Sequence, residues 1–300
     1  LLRLPAKQSE GDMPKIAIST GGADALECLV RKLGIDETEF TAPSGPGKIN
    51  FFAGYEGAAK YVTTLNEGVE FPPAADLWNS VESLSQYDVV LMSCEGGSNT
   101  SEKGDAAFAA MQQYANVGGR IFASHMHKVW FQQGPEPFPQ IADFVEKEPL
   151  DTLTANVVTS FPKGQALAQW LVNVGASETE GLIDIEAAQH SVQTENTDYS
   201  QSWIASESPQ SVQYLSANTP LGAPAEQQCG RMVFSDIHVS GDLAKAGAGL
   251  ADSSEQSVGF PEGCVTTELS PQEKVLAFML FDIASCVVPD EVEPLPPMLF

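Results

Sequence analysis

The sequence predicts an α/β protein in which helices cover both faces of a parallel sheet. Two observations lead to this prediction. Short apolar runs alternate with helix-like segments, which is the β-α-β pattern of such sheets. The runs that end near residues 93, 123 and 236 are hydrophobic throughout, as central parallel strands are, because both of their faces are buried. The 300 residues, 43% of them hydrophobic, suffice for one large core, and we expect a single domain over 14–288.

The first unit is a strand, a glycine turn and a helix. Residues 15–20 are the apolar strand, and a Gly-Gly pair separates them from a helix over 24–34. Asp24 is expected to cap that helix at its N-terminus, and Gly34 to end it. Residues 36–83 contain several Gly and Pro breaks, which predict a loop-rich insertion.

Later elements repeat the pattern. We expect further strands at 87–93, 118–123, 181–185, 212–216 and 231–236, and helices at 105–116, 163–174 and 271–285. The last helix opens with Ser270, a proline at its first position and Glu273, which predicts a capping box. The pattern loosens over 132–225, which we expect to form a cap over the sheet, and the Gly/Ala/Ser-rich residues 241–259 predict a mobile loop.

Charge and hydropathy exclude several classes of partner. The formal net charge is −25, which repels nucleic acid and anionic membrane surfaces, so no nucleic-acid partner is expected. No apolar run approaches the roughly 18 residues that a membrane span needs. Residues 1–13 are expected to be a linker from an upstream domain of the same chain, and residues 289–300 a proline-rich extended tail.

The chain has five cysteines, which favour an oxidising compartment, although reduced cysteines of a cytosolic protein are the alternative. The strand that starts near Cys229 and the last helix should bring Cys229 and Cys286 together. Cys28 lies on the polar side of the first helix, where a loop carrying Cys264 could cover it. We therefore expect the disulfides Cys229–Cys286 and Cys28–Cys264, with Cys94 free.

Three of the four histidines directly follow predicted strands. His125 and His127 come after the strand over 118–123, and His238 follows the last strand. Ligands of an open α/β sheet bind just beyond the carboxyl ends of its strands. Both histidine clusters and Cys94 are thus expected to converge on one crevice.

That crevice could support nucleophilic chemistry. Cys94 or Ser124 would be the nucleophile, and His125 or His238 the base that activates it. Asp236 lies two residues before His238, so it would share a strand face with that imidazole and orient it. The alternative is structural. Cys94 would be a small buried residue at a tight turn, and Asp236 and His238 would only satisfy each other's hydrogen-bonding groups in the core.

A metal is a second possibility that the sequence leaves open. Imidazole and carboxylate groups of His125, His127, Asp236 and His238 suit zinc or another first-row ion. His127 is expected to join His125 in such a site only if the chain turns between them. The glycine pairs lack the spacing of a dinucleotide fingerprint, and no cofactor is expected. His190 is interpreted as a surface or cap residue.

The order of these segments resembles the class I glutamine amidotransferase-like superfamily. The motifs are Tyr87-Asp88-Val89-Val90, Gly118-Gly119-Arg120-Ile121-Phe122-Ala123-Ser124-His125 and Gly230-Arg231-Met232-Val233-Phe234. The trehalose-utilisation (ThuA-like) branch looks closest, and the resemblance implies a flavodoxin-like sheet. It also implies a nucleophilic cysteine at a turn, the elbow, where this chain has His125, and a basic histidine near His238. Because the cysteine is missing, no glutaminase activity is expected.

Other segments resemble bacterial secreted or lipoprotein-like proteins of unassigned function. These are Ser9-Glu10-Gly11-Asp12, Asp24-Ala25-Leu26-Glu27-Cys28, 160–170 and 272–282. In such proteins a carboxypeptidase-regulatory-like domain commonly precedes this region, which implies an extracytoplasmic location.

Two classes of function follow as hypotheses. The first is a cell-surface or extracellular interaction or structural module with a protein or carbohydrate partner, in which the glutaminase nucleophile has been lost. The second is a hydrolase of a small carbohydrate-like, ester or amide substrate that uses Cys94 or Ser124 with His125 or His238, oriented by Asp236.

Overall fold

The structure is a computed structural model that describes residues 5–239, 259–262, 264, 268–290 and 292. Its strands are β1 Ile16–Ser19, β2 Ile49–Phe52, β3 Val89–Met92, β4 Arg120–Ser124, β5 Ala142–Phe144, β6 Leu150–Val157, β7 Leu182–Ala188, β8 Val192–Glu195, β9 Gln201–Glu207, β10 Gln210–Thr219 and β11 Gly230–Ser235. Its α-helices are α1 Leu26–Lys32, α2 Ala74–Trp78, α3 Val81–Leu84, α4 Asp105–Asn116, α5 Val129–Gln132, α6 Pro162–Asn173 and α7 Pro271–Ile283.

Five strands form the parallel half of a nine-stranded sheet. Their order is β2-β1-β3-β4-β11, and every neighbouring pair runs parallel. Numbered along the chain, this is the order 2-1-3-4-5 of flavodoxin-like folds. The predicted α/β class is therefore confirmed, and the strands expected at 15–20, 87–93, 118–123 and 231–236 are parallel neighbours in one sheet.

Four further strands extend the sheet with antiparallel pairing, in the order β10-β9-β6-β7. All four lie within the expected cap over 132–225. That segment therefore widens the sheet at its edge, while only β5 and β8 form a separate two-stranded sheet. The expected insertion over 36–83 likewise contributes β2, which is the opposite edge strand of the main sheet.

Two hydrophobic cores lie on the two faces of the sheet. Helices α1, α6 and α7 cover one face, and α2 to α5 cover the other. Alternate residues of each central strand serve alternate cores: Ile18 and Phe122 face the first, whereas Ala17 and Ile121 face the second. The continuous apolar runs in the sequence follow from this two-sided burial.

Helix ends agree with the sequence at two points and differ at one. The Ser270 side chain and Glu273 form the predicted capping box at α7. Gly34 has a φ of +93° and ends α1, a backbone conformation that glycine adopts without strain. Asp24 does not cap α1, because the N-cap position is Ala25 and no side chain caps it.

One predicted disulfide is confirmed and the other is wrong. Cys28 and Cys264 are bonded, with their Cα atoms 5.2 Å apart. Cys94, Cys229 and Cys286 are free. The start of β11 and the end of α7 do approach each other, but the Arg120 guanidinium lies between them and donates to the carbonyls of Cys229 and Ser285.

Two expected segments lie largely outside the described residues: the loop over 241–259, described only at Gly259, and the tail over 289–300, described at 289, 290 and 292. At the start of that tail the Asp290 carboxylate is 3.0 Å from the buried Arg231 guanidinium. Among the helices that the structure describes, none is long and apolar enough to cross a membrane.

Candidate functional site

The carboxyl ends of three adjacent parallel strands bring together Cys94, His125 and His238. Cys94 follows β3, His125 follows β4 and His238 follows β11. The Cys94 Sγ atom is 3.4 Å from His125 Nδ1, and the centroids of the two imidazole rings are 5.2 Å apart. One ligand atom from each residue lies within 4.8 Å of the other two. We call these three residues the strand-end cluster.

His125 occupies a sharp turn between β4 and a short 3₁₀ helix, His125–Lys128. Its φ is +39°, in the left-handed region that non-glycine residues rarely adopt. Such a conformation costs on the order of 1 to 3 kcal/mol and persists only where the surroundings enforce it. The turn directs the His125 ring toward Cys94.

Cys94 is completely buried at the end of β3. The backbone N–H groups of Gly96, at 3.4 Å, and of Met126 donate to its sulfur. Burial nevertheless raises the pKa of the thiol to about 12, so the unliganded sulfur keeps its proton at neutral pH. The turn after β1 packs so closely that a Cβ on Gly21 would lie 2.3 Å from the Cys94 carbonyl oxygen, which explains the glycine there.

His127 is separated from the strand-end cluster. The 3₁₀ turn buries its ring, and its Nε2 lies 3.0 Å from the Ser93 carbonyl oxygen while Trp130 Nε1 donates to Nδ1 at 3.1 Å. Because a carbonyl can only accept, Nε2 carries the proton and both ring nitrogens are used. His127 therefore supports the fold beneath the cluster.

Asp24, which we had interpreted as a helix cap, connects the ends of three strands. Its Oδ2 accepts from the Ser124 hydroxyl at 2.6 Å, and its Oδ1 accepts from the Val239 amide at 2.8 Å. Burial raises the pKa of Asp24, whereas the neighbouring His238 opposes that rise. The sequence signal for this role is weak, because an Asp after a Gly-Gly turn fits a cap equally well. Ser124 donates to this carboxylate, not to an imidazole.

Asp236 has other partners than the one expected. Its Oδ2 accepts from the Ser191 amide at 2.6 Å, and burial raises its pKa to about 7. Strand β11 ends at Ser235, whose hydroxyl accepts from the Ile237 amide in a local turn. The two-residue periodicity of a strand therefore no longer applies between Asp236 and His238. The carboxylate beside His238 is Asp24.

The two imidazoles of the cluster are neutral at physiological pH. Burial lowers the pKa of His125 to about 2, with smaller contributions from His238 and Lys128. Burial also lowers the pKa of His238, and Asp24 partly opposes this shift. A neutral imidazole has one nitrogen lone pair, which is the form that binds a metal or accepts a proton.

Two further residues near the site were not predicted. Glu95, next to Cys94, forms a buried ion pair with Lys103 at 2.6 Å and accepts from the Tyr55 amide. Their pairing fixes the loop after β3.

His190, interpreted as a surface or cap residue, is 5% exposed and lies outside the cluster.

Comparisons with known proteins add little to this geometry. No protein-family model matches the chain, and no curated protein matches it. One solved structure, that of a protein described as ThuA-like from Bacteroides uniformis, is 14% identical over 81% of this chain and 93% of that chain, with a TM-score of 0.40. The assignment of a flavodoxin-like fold rests on the strand order of the sheet itself.

Proposed function

We propose that this chain is an extracytoplasmic amidotransferase-like domain without glutaminase activity, and that it serves as an interaction module for a protein or carbohydrate partner at the cell surface. The observation that carries the proposal is the residue at the elbow. His125 stands there with a left-handed backbone, at the position where the resemblance implies a nucleophilic cysteine. An imidazole at that position cannot form the thioester that glutamine hydrolysis by an amidotransferase requires.

The other candidate nucleophiles do not replace the missing thiolate. Cys94 contacts His125, but burial raises the pKa of its thiol to about 12, which disfavours the reactive anion. The Ser124 hydroxyl donates a hydrogen bond to the Asp24 carboxylate, so it is not hydrogen-bonded to an imidazole that could act as its base. These two contacts support the interaction module over the hydrolase.

The location outside the cytoplasm is supported by the disulfide between Cys28 and Cys264. Such bonds persist in oxidising compartments and are rare in the cytosol.

An assay of hydrolysis paired with an assay of binding tests the proposal. The purified chain should release no ammonia from glutamine and should not turn over ester or amide model substrates. Binding to a glycan array or to cell-surface extracts should be equal in the wild type and in Cys94→Ala. Turnover that Cys94→Ala abolishes and the control Cys229→Ala retains would contradict the module and establish the hydrolase.

A further inference from the structure

We propose that Cys94, His125 and His238 bind one zinc ion through the Cys94 sulfur and one nitrogen of each imidazole. Cys94 is buried and the two histidines are partly exposed, so a fourth, open coordination position would lie on the side of the histidines. This site goes beyond the proposed function, since a metal can be bound whether or not the domain recognises a partner. Three protein ligands with one open position are the arrangement of zinc sites that bind a further group.

Distances within the cluster suit a small tetrahedral ion. Zinc bonds of about 2.3 Å to sulfur and about 2.0 Å to nitrogen, at a tetrahedral angle, separate the two donor atoms by about 3.5 Å. The observed separation of Cys94 Sγ and His125 Nδ1 is 3.4 Å. The donor atom of His238 lies within 4.8 Å of both, so all three donor atoms are close to one position.

Burial disfavours the Cys94 thiolate in the unliganded chain, whereas two hydrogen bonds to the sulfur favour the thiolate that zinc requires. Two backbone N–H groups, those of Gly96 and Met126, donate to Cys94 Sγ. Hydrogen bonds of this kind stabilise the charged form of an acceptor. On binding, the S–H bond breaks, its proton leaves to solvent and the sulfur electron pair forms the bond to zinc.

One ring nitrogen of His238 is unsatisfied within the strand-end cluster. Its Nε2 is buried and has no hydrogen-bond partner. A buried nitrogen without a partner costs free energy, and a bound ion is one arrangement that removes the cost. Asp24 lies beside His238 and is itself held by Ser124 and Val239, so it can orient the imidazole as carboxylates do around zinc ligands. We therefore assign Asp24 as a positioning residue.

The donor set decides between ions. One sulfur and two imidazoles are soft or borderline donors, which zinc prefers, whereas calcium and magnesium require oxygen ligands. Neither His127 nor Asp236 adds a donor, because both ring nitrogens of His127 are engaged in hydrogen bonds and Asp236 is not among the residues whose donor atoms lie within 4.8 Å of one another. The same donor set also suits copper, which the experiment below separates from zinc.

Metal analysis and cobalt substitution test the site. The intact chain, isolated without added metal, should contain one equivalent of zinc. After chelation, added cobalt should produce a near-ultraviolet thiolate-to-cobalt charge-transfer band and the intense visible bands of four-coordinate cobalt. Second-sphere changes typically weaken zinc about 10- to 100-fold, so Cys94→Ser, which removes a ligand, should lower zinc affinity by more than about 100-fold. Asp24→Asn should lower it by about 10-fold.

Matched variants keep the result interpretable. Cys229→Ser removes an exposed thiol outside the cluster and should retain the full cobalt spectrum. Wild-type protein that binds cobalt without a thiolate band would overturn the proposal, and this outcome does not depend on the folding of any variant. Copper in place of zinc in the isolated protein would overturn the choice of zinc. Zinc bound equally by the wild type and Cys94→Ser would overturn the site.

Discussion

The Nδ1 atom of His125 lies 3.4 Å from the Sγ atom of Cys94, although 31 positions separate the two residues in sequence. Strands β3 and β4 are parallel neighbours in register, with Met92 paired to Ala123. The residues that follow these strands must therefore meet at the same edge of the sheet. The contact is thus a consequence of topology, and the elbow at His125 only decides which way the ring points.

Cysteine labelling should distinguish buried from exposed thiols. Cys229 and Cys286 are exposed, whereas Cys94 is buried and the pKa of its thiol is raised to about 12. An alkylating reagent should therefore modify the first two residues in the native protein and leave Cys94 unmodified between about pH 6 and pH 9. Peptide mapping identifies the cysteines that the reagent has modified. Fast modification of Cys94 in the folded chain would show that its thiolate is accessible.

Removal of the disulfide should destabilise the chain substantially. Cys28 and Cys264 are 236 positions apart, and closing so long a loop contributes about 3 to 5 kcal/mol in the chain-entropy model. Urea unfolding of the double variant Cys28→Ser/Cys264→Ser should show a loss of this size, with Cys229→Ser as the cysteine control. A loss below about 1 kcal/mol would mean that the bond adds little to the folded state.

Truncation of Asp24 should lower the free energy of unfolding as well as the metal affinity. Asp24→Ala leaves the buried Ser124 hydroxyl and the Val239 amide without an acceptor. Two such losses should lower the free energy of unfolding by about 2 to 4 kcal/mol. The exposed Asp198→Ala is the matched control and should stay within about 0.5 kcal/mol of the wild type. An equally small effect at Asp24 would contradict its role in joining the strand ends.

Glu27 predicts a pH dependence of stability. Its side chain is buried in α1, and burial raises its pKa to about 8 in the folded state. The unfolded chain releases this proton near the ordinary glutamate pKa of about 4.3, while the folded chain retains it. Wild-type stability should therefore fall as pH rises from about 4.5 to about 8.

Glu27→Gln isolates that effect, because glutamine imitates the protonated acid and does not titrate. Relative to the wild type, this variant should gain stability steadily between about pH 5 and pH 8 in urea unfolding experiments. Glu82→Gln replaces an exposed glutamate and is the matched control. A constant difference between Glu27→Gln and the wild type across this range would show that Glu27 is ionised in the folded protein.

Sequence patterns were sufficient for four of the five strands in the parallel half, and they missed β2 within the expected loop-rich insertion over 36–83. The helix expected at 105–116 is α4, and the apolar runs are β1, β3, β4 and β11, because hydrophobicity on both faces identifies a central strand. The antiparallel half was not predictable in the same way. Strands β6 and β7 have an alternating pattern, but periodicity does not reveal whether a strand joins an existing sheet or forms another.

At the site, the sequence placed residues at strand ends but not their partners. Strand periodicity predicts that Asp236 and His238 are paired, yet β11 ends at Ser235 and the following turn separates them. Asp24 seemed local to α1, yet its two hydrogen bonds reach residues 100 and 215 positions away. Such long-range contacts depend on tertiary packing, which local patterns do not encode.

The most direct measurement is an anomalous difference map, collected at the zinc absorption edge, from crystals of the chain grown with one equivalent of zinc. The account predicts one peak about 2.3 Å from Cys94 Sγ and about 2.0 Å from a ring nitrogen of each of His125 and His238. A map with zinc at other positions and none among these three side chains would contradict it.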